Sequence, residues 1–364
     1  MKILHILSRK GWGGGERYAL DLCRRLHDDG HGVTVIARKG NEAVQAVFAE
    51  NGLRVIPMSL SLLGRLTAPK RVAEVLNLLT ASKSGNREPV IVHVHNFEDA
   101  ATAVSARSRC KKPDQVKIVY TRHRVLPAVT GKKAEAVYAA LDAIIFVSDV
   151  SRRKFLTTAH GLNLRRMFVV HNSLRNIPDV QPQTFELSKI KLVYVGRIAA
   201  DKGLDVLADA MGLLPPGMVS LELCGDGDSG YIKRLKRKFE EADGGSVTFS
   251  GSLRDVAPAY ARANAGVIPT IVPEAFGLAV LECMAAGRTV ITTNNGAQRE
   301  ITDDGENAFL VPPGNAAALA DTIRNLALHP DVTRRAGELA AMAVRSRFDY
   351  NSFYNKILSI YQQV

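Results

Sequence analysis

Short, nearly continuous apolar runs rich in Val and Ile recur along the chain, separated by longer stretches of mixed polarity. The first set is KILHIL (2–7), GVTVIA (32–37), LRVIPM (53–58), VIVHVH (90–95), VKIVYT (116–121), AIIFVS (143–148) and MFVVHN (167–172). Runs without strict alternation predict parallel strands buried on both faces. Between them lie stretches with helical spacing. In ERYALDLCRRLHDDG (16–30) the apolar positions Tyr18, Ala19, Leu22 and Leu26 fall on one face, and Gly30 is a plausible stop. KRVAEVLNLLTA (70–81) reads the same way.

The pattern breaks over LRNIPDVQPQTFELSKI, which has two prolines and no strong periodicity. It then restarts with KLVYVGRI (191–198), VSLELCG (219–225), VTFSG (247–251), AGVIPT (265–270), TVITTN (289–294) and AFLVP (308–312), again with helical segments such as 231–242 and 277–287 between. Strands alternating with helices, twice over, predict an α/β protein of two doubly wound, Rossmann-like parallel-sheet domains. The expected boundaries are 1–176 for the N-terminal domain, 177–190 for a linker and 191–345 for the C-terminal domain. A final helix over 346–364 is expected to cross back to the first domain. Ligands of such sheets bind at the carboxyl ends of the strands, so a cleft between the two domains is the expected site.

Composition narrows the function. With 364 residues, 46% hydrophobic and 23% charged, the chain reads as an ordinary globular protein. No stretch approaches the roughly 20 apolar residues that span a bilayer, and the start lacks a signal-peptide pattern. The cysteines Cys23, Cys110, Cys224 and Cys283 are far apart, which excludes a local CxxC site and suits a reduced cytoplasm. The net charge of +12 is uneven: residues 1–178 hold 29 basic and 14 acidic residues, a net +15, and the remainder carries −3. Such a field favours an anionic surface or substrate near the first half. No zinc finger, recognition helix or aromatic-interleaved basic pattern is present, so nucleic acid is not expected. An anionic membrane leaflet, or a phosphate-bearing acceptor within it, fits better.

The candidate chemistry lies in PEAFGLAVLE (273–282). A short loop follows the strand AGVIPT, and a helix is predicted to open at Gly277. First-turn N–H groups lack internal partners and carry partial positive charge, so a diphosphate can bind there. Glu274 before the helix and Glu282 inside it offer acceptors for hydroxyl groups. A second element, YVGRIAADKGLDVLADA, sets Arg197 just past a strand and Lys202 at a helix start, where both cations can reach one diphosphate. GWGGGE (11–16) is a third strand-to-helix loop, although it is not the GxGxxG fingerprint. His95 and His123 end two apolar runs and therefore fall at the carboxyl edge of the first sheet. His93 shares a strand face with His95 but sits deeper, and with no carboxylate cluster nearby a metal pair is not expected.

PEAFGLAVLECMAAGRTVITTNNGAQREI resembles the signature segment of the retaining glycosyltransferases of family 4, which have the GT-B fold; the resemblance covers nearly the whole chain and is strongest over 191–315. It implies that Glu274 holds hydroxyls of the transferred sugar and Glu282 the ribose of the donor. It also implies that Ala275, Phe276, Gly277 and Leu278 surround the donor, and that Arg197 and Lys202, beside Gly196, bind its phosphates. Gly225 and Gly227 match a glycine-rich turn near the nucleotide, and Gly13, Gly14 and Gly15 a loop against the phosphates and acceptor. His123 matches a histidine that contacts the transferred sugar, with His95, Arg122 and Arg124 as acceptor candidates. Arg124 stands where relatives have a small or acidic residue, and His171 and Ser173 replace the proline and glycine of a turn around Asn172.

The expected activity is therefore transfer, with retention, from a nucleotide diphosphate sugar (UDP favoured) to a glycan or lipid-linked acceptor in cell-envelope polysaccharide or lipopolysaccharide synthesis. Neither metal nor cofactor is expected, because Arg197, Lys202 and the helix start can carry the phosphate charge. The protein is expected in the cytoplasm, peripherally at the inner face of the membrane. The rival readings are a nucleotide-sugar epimerase or phosphorylase of the same fold, and a catalytically silent accessory subunit.

Overall fold

The strands form where the apolar runs predict them. In the computed structural model, which describes residues 1–61, 64–81, 88–178, 180, 184–253 and 255–364, contacts divide the chain into two units. The first comprises Met1–Asn172 and Asn351–Val364, the second Ser173–Tyr350. The strands of the first are β1 (Lys2–Leu7), β2 (Gly32–Arg38), β3 (Arg54–Met58), β4 (Val90–Val94), β5 (Val116–Arg122), β6 (Ala143–Phe146) and β7 (Met167–Val169). They form one parallel sheet in the order β3-β2-β1-β4-β5-β6-β7. The run at 167–172 is shorter than expected: Val170 donates to the Phe146 carbonyl and the chain then leaves the sheet.

Burial follows the pattern. Every residue of β4 and β6 is buried, as helices on both faces of a parallel sheet require. The helix Gly14–Asp28 buries Tyr18, Leu22 and Leu26 along one face and Ala19 and Cys23 beside it. Each fully buried large aliphatic side chain contributes about 1.5–3 kcal/mol against leaving it in water. Gly30, at φ 80°, ends the turn in a backbone conformation that favours glycine. The last helix, Tyr350–Gln363, brings Phe353 against Tyr18 and Tyr361 against His93.

The second unit has β8 (Ile190–Val195), β9 (Val219–Cys224), β10 (Gly245–Gly251), β11 (Ala265–Ile268), β12 (Thr289–Thr293) and β13 (Ala308–Val311). They are parallel in the order β10-β9-β8-β11-β12-β13. The helix Ser229–Ala242 covers this sheet with Tyr231, Leu235 and Phe239, spaced four residues apart, and is capped by Asp228, which accepts from the Tyr231 amide at 2.8 Å. The segment before β8 is tied in by Ser188, which donates to Ala327, and by Thr184, whose carbonyl accepts from Asn264.

Strand order reverses between β1 and β4 in one sheet and between β8 and β11 in the other. In an open parallel sheet the helices on either side of such a reversal diverge and leave a crevice at the carboxyl ends. The loops after these four strands are residues 8–13, 95–96, 196–203 and 269–277. Among the described residues no helix is long and apolar enough to cross a membrane, and all four cysteines are free.

Candidate functional site

At the β8/β11 reversal three loops lock together. The loop 270–277 hangs from its neighbour through two hydrogen bonds to the Asp201 carbonyl, from the Ile271 amide and the Thr270 hydroxyl, each 3.1 Å. On its other side Glu274 forms a backbone bridge to Gly296, with Glu274 N donating to Asn295 O (3.2 Å) and Ala297 N to Glu274 O (3.0 Å). Gly296 is at φ 119°, and a Cβ there would lie 2.4 Å from the Glu274 carbonyl oxygen. Glu274 is thus held by its backbone, and its carboxylate is free to be aimed. It accepts from Lys202 Nζ, with both side chains about four-fifths buried.

Arg197 lies beside this pair in sequence but is 60% exposed, and donates to both oxygens of Asp201 at 2.8 and 3.0 Å. Its loop is supported from below by Tyr194, whose hydroxyl donates to the Arg197 carbonyl at 2.6 Å. Each cation therefore has a carboxylate partner that fixes its direction. Asp201 was not singled out from the sequence, although its spacing of four from Arg197 is a recognisable pairing signal.

Gly277 does not open the helix as expected but caps it, at φ 93°, ψ 58°, and the helix runs Leu278–Ala285. Leu281 N donates back to Gly277 O, so the amides of Leu278–Val280 form the positive end. Phe276 is buried against Phe348 at 5.9 Å and pins the loop, while Ala275 and Leu278 remain half-buried. Glu282 lies on the same helix, half-buried.

Gly225 and Gly227 have a packing cause that needs no ligand. Gly196 N donates to Cys224 O and Ile198 N to Asp226 O, so the loops after β8 and β9 zip together. A Cβ at 225 would lie 1.8 Å from Gly196 O, and one at 227 would lie 1.9 Å from Ile198 O. Gly203 is similar: at φ 72° its Cβ would meet Pro269 O at 1.9 Å. Gly203→Ala is expected to destabilise the second unit by about 1–3 kcal/mol through strain and loop displacement. Gly217→Ala, at φ 74° with open space around it, is expected to cost only the conformational part, about 1 kcal/mol. Urea midpoints of the two variants check this difference, and equal midpoints would contradict it.

At the β1/β4 reversal the helix after the glycine loop begins at Gly14, with Gly13 as its cap. Gly15 faces His123, whose Cδ2 would be 3.7 Å from a Cβ there. His123 also packs nearly perpendicular to the Tyr18 ring, centroids 4.9 Å apart, and its Nε2 lies 3.2 Å from His95 Nδ1. Desolvation pulls the His123 pKa down to about 3, so the ring is neutral. Asp99 borders this region fully buried, accepting from Ser8 N (3.2 Å) and Asn96 Nδ2 (2.6 Å); burial raises its pKa to about 6. Glu16, in the first turn of the helix, is also buried, which raises its pKa.

Arg122 does not join this group. Side chains alternate along a strand: Thr121 faces His93, so Arg122 points to the opposite side. There its guanidinium donates to the carbonyls of Leu126 (2.5 Å) and Pro127 (2.9 Å) and lies over Phe155. It holds the loop after β5 in place. Arg124 is exposed, and its carbonyl accepts from Ser151.

Comparison with known proteins agrees with this architecture. The Glycosyltransferase Family 4 model matches residues 12–174, and the Glycosyl transferases group 1 model matches residues 189–329. A phosphatidyl-myo-inositol mannosyltransferase of Mycobacterium leprae is 33% identical over 171 residues, 45% of this chain and 43% of that protein, so the match spans less than half of its length. A glycogen synthase of Mycobacterium tuberculosis is 26% identical over 298 residues, 75% of this chain and 68% of its own. The fold is that of HepE from Anabaena, solved in complex with UDP and glucose: TM-score 0.83, 20% identity, all of both chains covered. Two family models, one over each parallel sheet, and a GT-B likeness along the full length lead to one assignment: the chain belongs to the family 4 glycosyltransferases.

Proposed function

We propose that the protein transfers a sugar, with retention of configuration, from a nucleotide diphosphate donor to a glycan or lipid-linked acceptor of the cell envelope. The observation that carries this reading is the Lys202–Glu274 pair beside the Gly277-capped helix start, at the strand-order reversal of the second sheet. A nucleotide diphosphate sugar asks for a cation, a hydroxyl acceptor and amide donors side by side, and these three are adjacent there. The donor diphosphate lies on the Leu278–Val280 amides, Lys202 and Arg197, and the sugar hydroxyls bind Glu274. As the glycosidic bond breaks, the two cations and the helix start stabilise charge on the leaving phosphate without a metal. That phosphate takes the proton of the attacking acceptor on the same face. Glu274 holds the sugar and is not the nucleophile.

UDP is the favoured base, consistent with the UDP bound in HepE. The test is a thermal-shift panel of UDP- and GDP-sugars. A donor at about 100 times its Kd should stabilise the folded protein by about 2.7 kcal/mol. A panel in which no nucleotide sugar raises the melting temperature would refute the reading.

The basic first half supports peripheral docking at an anionic leaflet. Co-sedimentation with vesicles rich in anionic lipid is expected at low salt, with release at about 1 M salt, where the Debye length is about 3 Å. Equal binding to neutral vesicles would contradict electrostatic docking.

A further inference from the structure

Three histidines of the first unit form a line. His5 Nδ1 lies 3.1 Å from His95 Nε2, and His95 Nδ1 lies 3.2 Å from His123 Nε2. The joined rings are close to parallel, at 16° and 23°, and their centroids are 5.3 and 5.5 Å apart. Those separations exceed the N···N distances by about the width of one ring, so the imidazoles meet edge to edge. Each nitrogen is then aimed in its ring plane at the next, as an N–H···N bond requires.

A metal is the competing explanation, since His5, His93 and His95 each bring a nitrogen within 4.8 Å of the others. The geometry disfavours it. A metal needs lone pairs converging on one point, whereas His5 Nδ1 and His95 Nε2 face each other at 3.1 Å. His93 has both nitrogens engaged elsewhere, with Tyr361 Oη at 2.5 Å and Thr121 Oγ1 at 2.7 Å, and its ring stacks on His95 at 4.5 Å.

The line has a direction. Burial keeps all of these rings neutral, and a neutral imidazole has one N–H and one lone pair. His95 must therefore accept on one side and donate on the other. Were His95 to donate to His5, the His5 hydrogen would sit on Nε2, which is buried without a partner. With the opposite sense the unpartnered Nε2 is only a lone pair. Buried N–H groups without an acceptor are rarer than acceptors without a donor. The bonds thus run from His5 to His95 to His123.

We propose that His5 and His95 are positioning residues that hold His123 in the tautomer with its hydrogen on Nδ1, presenting a fixed N–H donor beside the Gly13–Gly15 loop. That this donor meets a substrate oxygen rests on the functional reading above; the tautomer itself does not. A histidine with its tautomer set in advance binds an oxygen without having to shift a proton first, which is a form of preorganisation.

The test uses the full chain, isotopically labelled in its histidine nitrogens, and long-range proton–nitrogen correlation spectra, which report the nitrogen carrying the hydrogen. His123 is expected as the Nδ1–H form in the wild-type protein. His95→Asn keeps an N–H near the Nδ1 position and should preserve that form. His95→Phe removes the donor and should shift His123 toward Nε2–H. A wild-type His123 with its hydrogen on Nε2, or an unchanged tautomer in His95→Phe, would overturn the proposal. The wild-type spectrum decides even if a variant does not fold. Adding UDP-glucose separates the two readings: an Nδ1–H signal that does not move contradicts the placement of His123 at the substrate, but not the relay.

Discussion

Replacing Lys202 by alanine is expected to lower turnover by about 10²–10³-fold, the usual effect of removing one group that stabilises developing negative charge. Its ammonium is the cation held against Glu274 by three interlocked loops, so no other side chain of the loop can take its place without rearrangement. The loss should fall on kcat, because charge on the leaving phosphate grows as the glycosidic bond breaks. Glu274→Ala should lower transfer by a similar factor. The two substitutions together should cost less than the product of their single effects, since each removes the partner that orients the other. Arg197 supplies a control. Its pair with Asp201 is 60% exposed on the arginine side and adds little to stability. Arg197→Ala should therefore reduce transfer while leaving the unfolding midpoint nearly unchanged. Wild-type turnover in Lys202→Ala, measured with the donor chosen by the thermal-shift panel, would remove Lys202 from the chemistry.

Acidification should destabilise the first unit well before ordinary carboxylate titration would. His5, His93, His95 and His123 all have folded pKa values below the ordinary imidazole value, chiefly through desolvation, with His5 and His123 at about 3. Above pH about 6.5 both folded and unfolded chains hold these rings neutral and the stability is fully present. As the pH falls below that, the unfolded chain gains protons that the folded one refuses. Each group then removes up to about 1.4 kcal/mol per pH unit, and all four act in the same direction. Asp99 opposes this. Its folded pKa is raised to about 6, so between about 4 and 6 the folded form holds a proton that the unfolded one lacks. Glu16, raised by burial in the same way, opposes it too, and two groups against four still leave a net loss. Against a total stability of about 5–15 kcal/mol, such a loss makes the first unit clearly less stable at pH 5 than at pH 7. Trp12, the single tryptophan, lies in the glycine loop of this unit and reports it alone. Urea midpoints by its fluorescence should fall sharply from pH 7 to pH 5, and a flat profile would contradict neutral burial of the cluster.

The strands were legible because a parallel sheet covered on both faces leaves continuous apolar runs, and their ends differ from the structure by up to three residues. The loops of the site were legible for the same reason, since each follows such a run. What joins them was not. Lys202 and Glu274 are 72 residues apart, and only the adjacency of β8 and β11 makes them a pair. His5 is a single polar residue inside the apolar run KILHIL; its meaning comes from the β1–β4 register, which sets it opposite His93. Arg122 could have been placed correctly from strand alternation, which sends it to the face opposite His123. Gly225 and Gly227 matched a ligand-binding turn, yet the backbone of residues 196–198 already requires them. A glycine motif does not distinguish a ligand from a neighbouring chain segment, because both demand the missing Cβ.

The most direct measurement is calorimetric titration of the selected nucleotide sugar into the wild-type protein and into the Arg197→Ala, Lys202→Ala double variant. Saturable binding to the wild type and a loss of at least about tenfold in affinity, or about 1.4 kcal/mol, in the folded double variant is the predicted result. Equal affinity for both proteins would show that the donor phosphates lie elsewhere and would contradict the site described here.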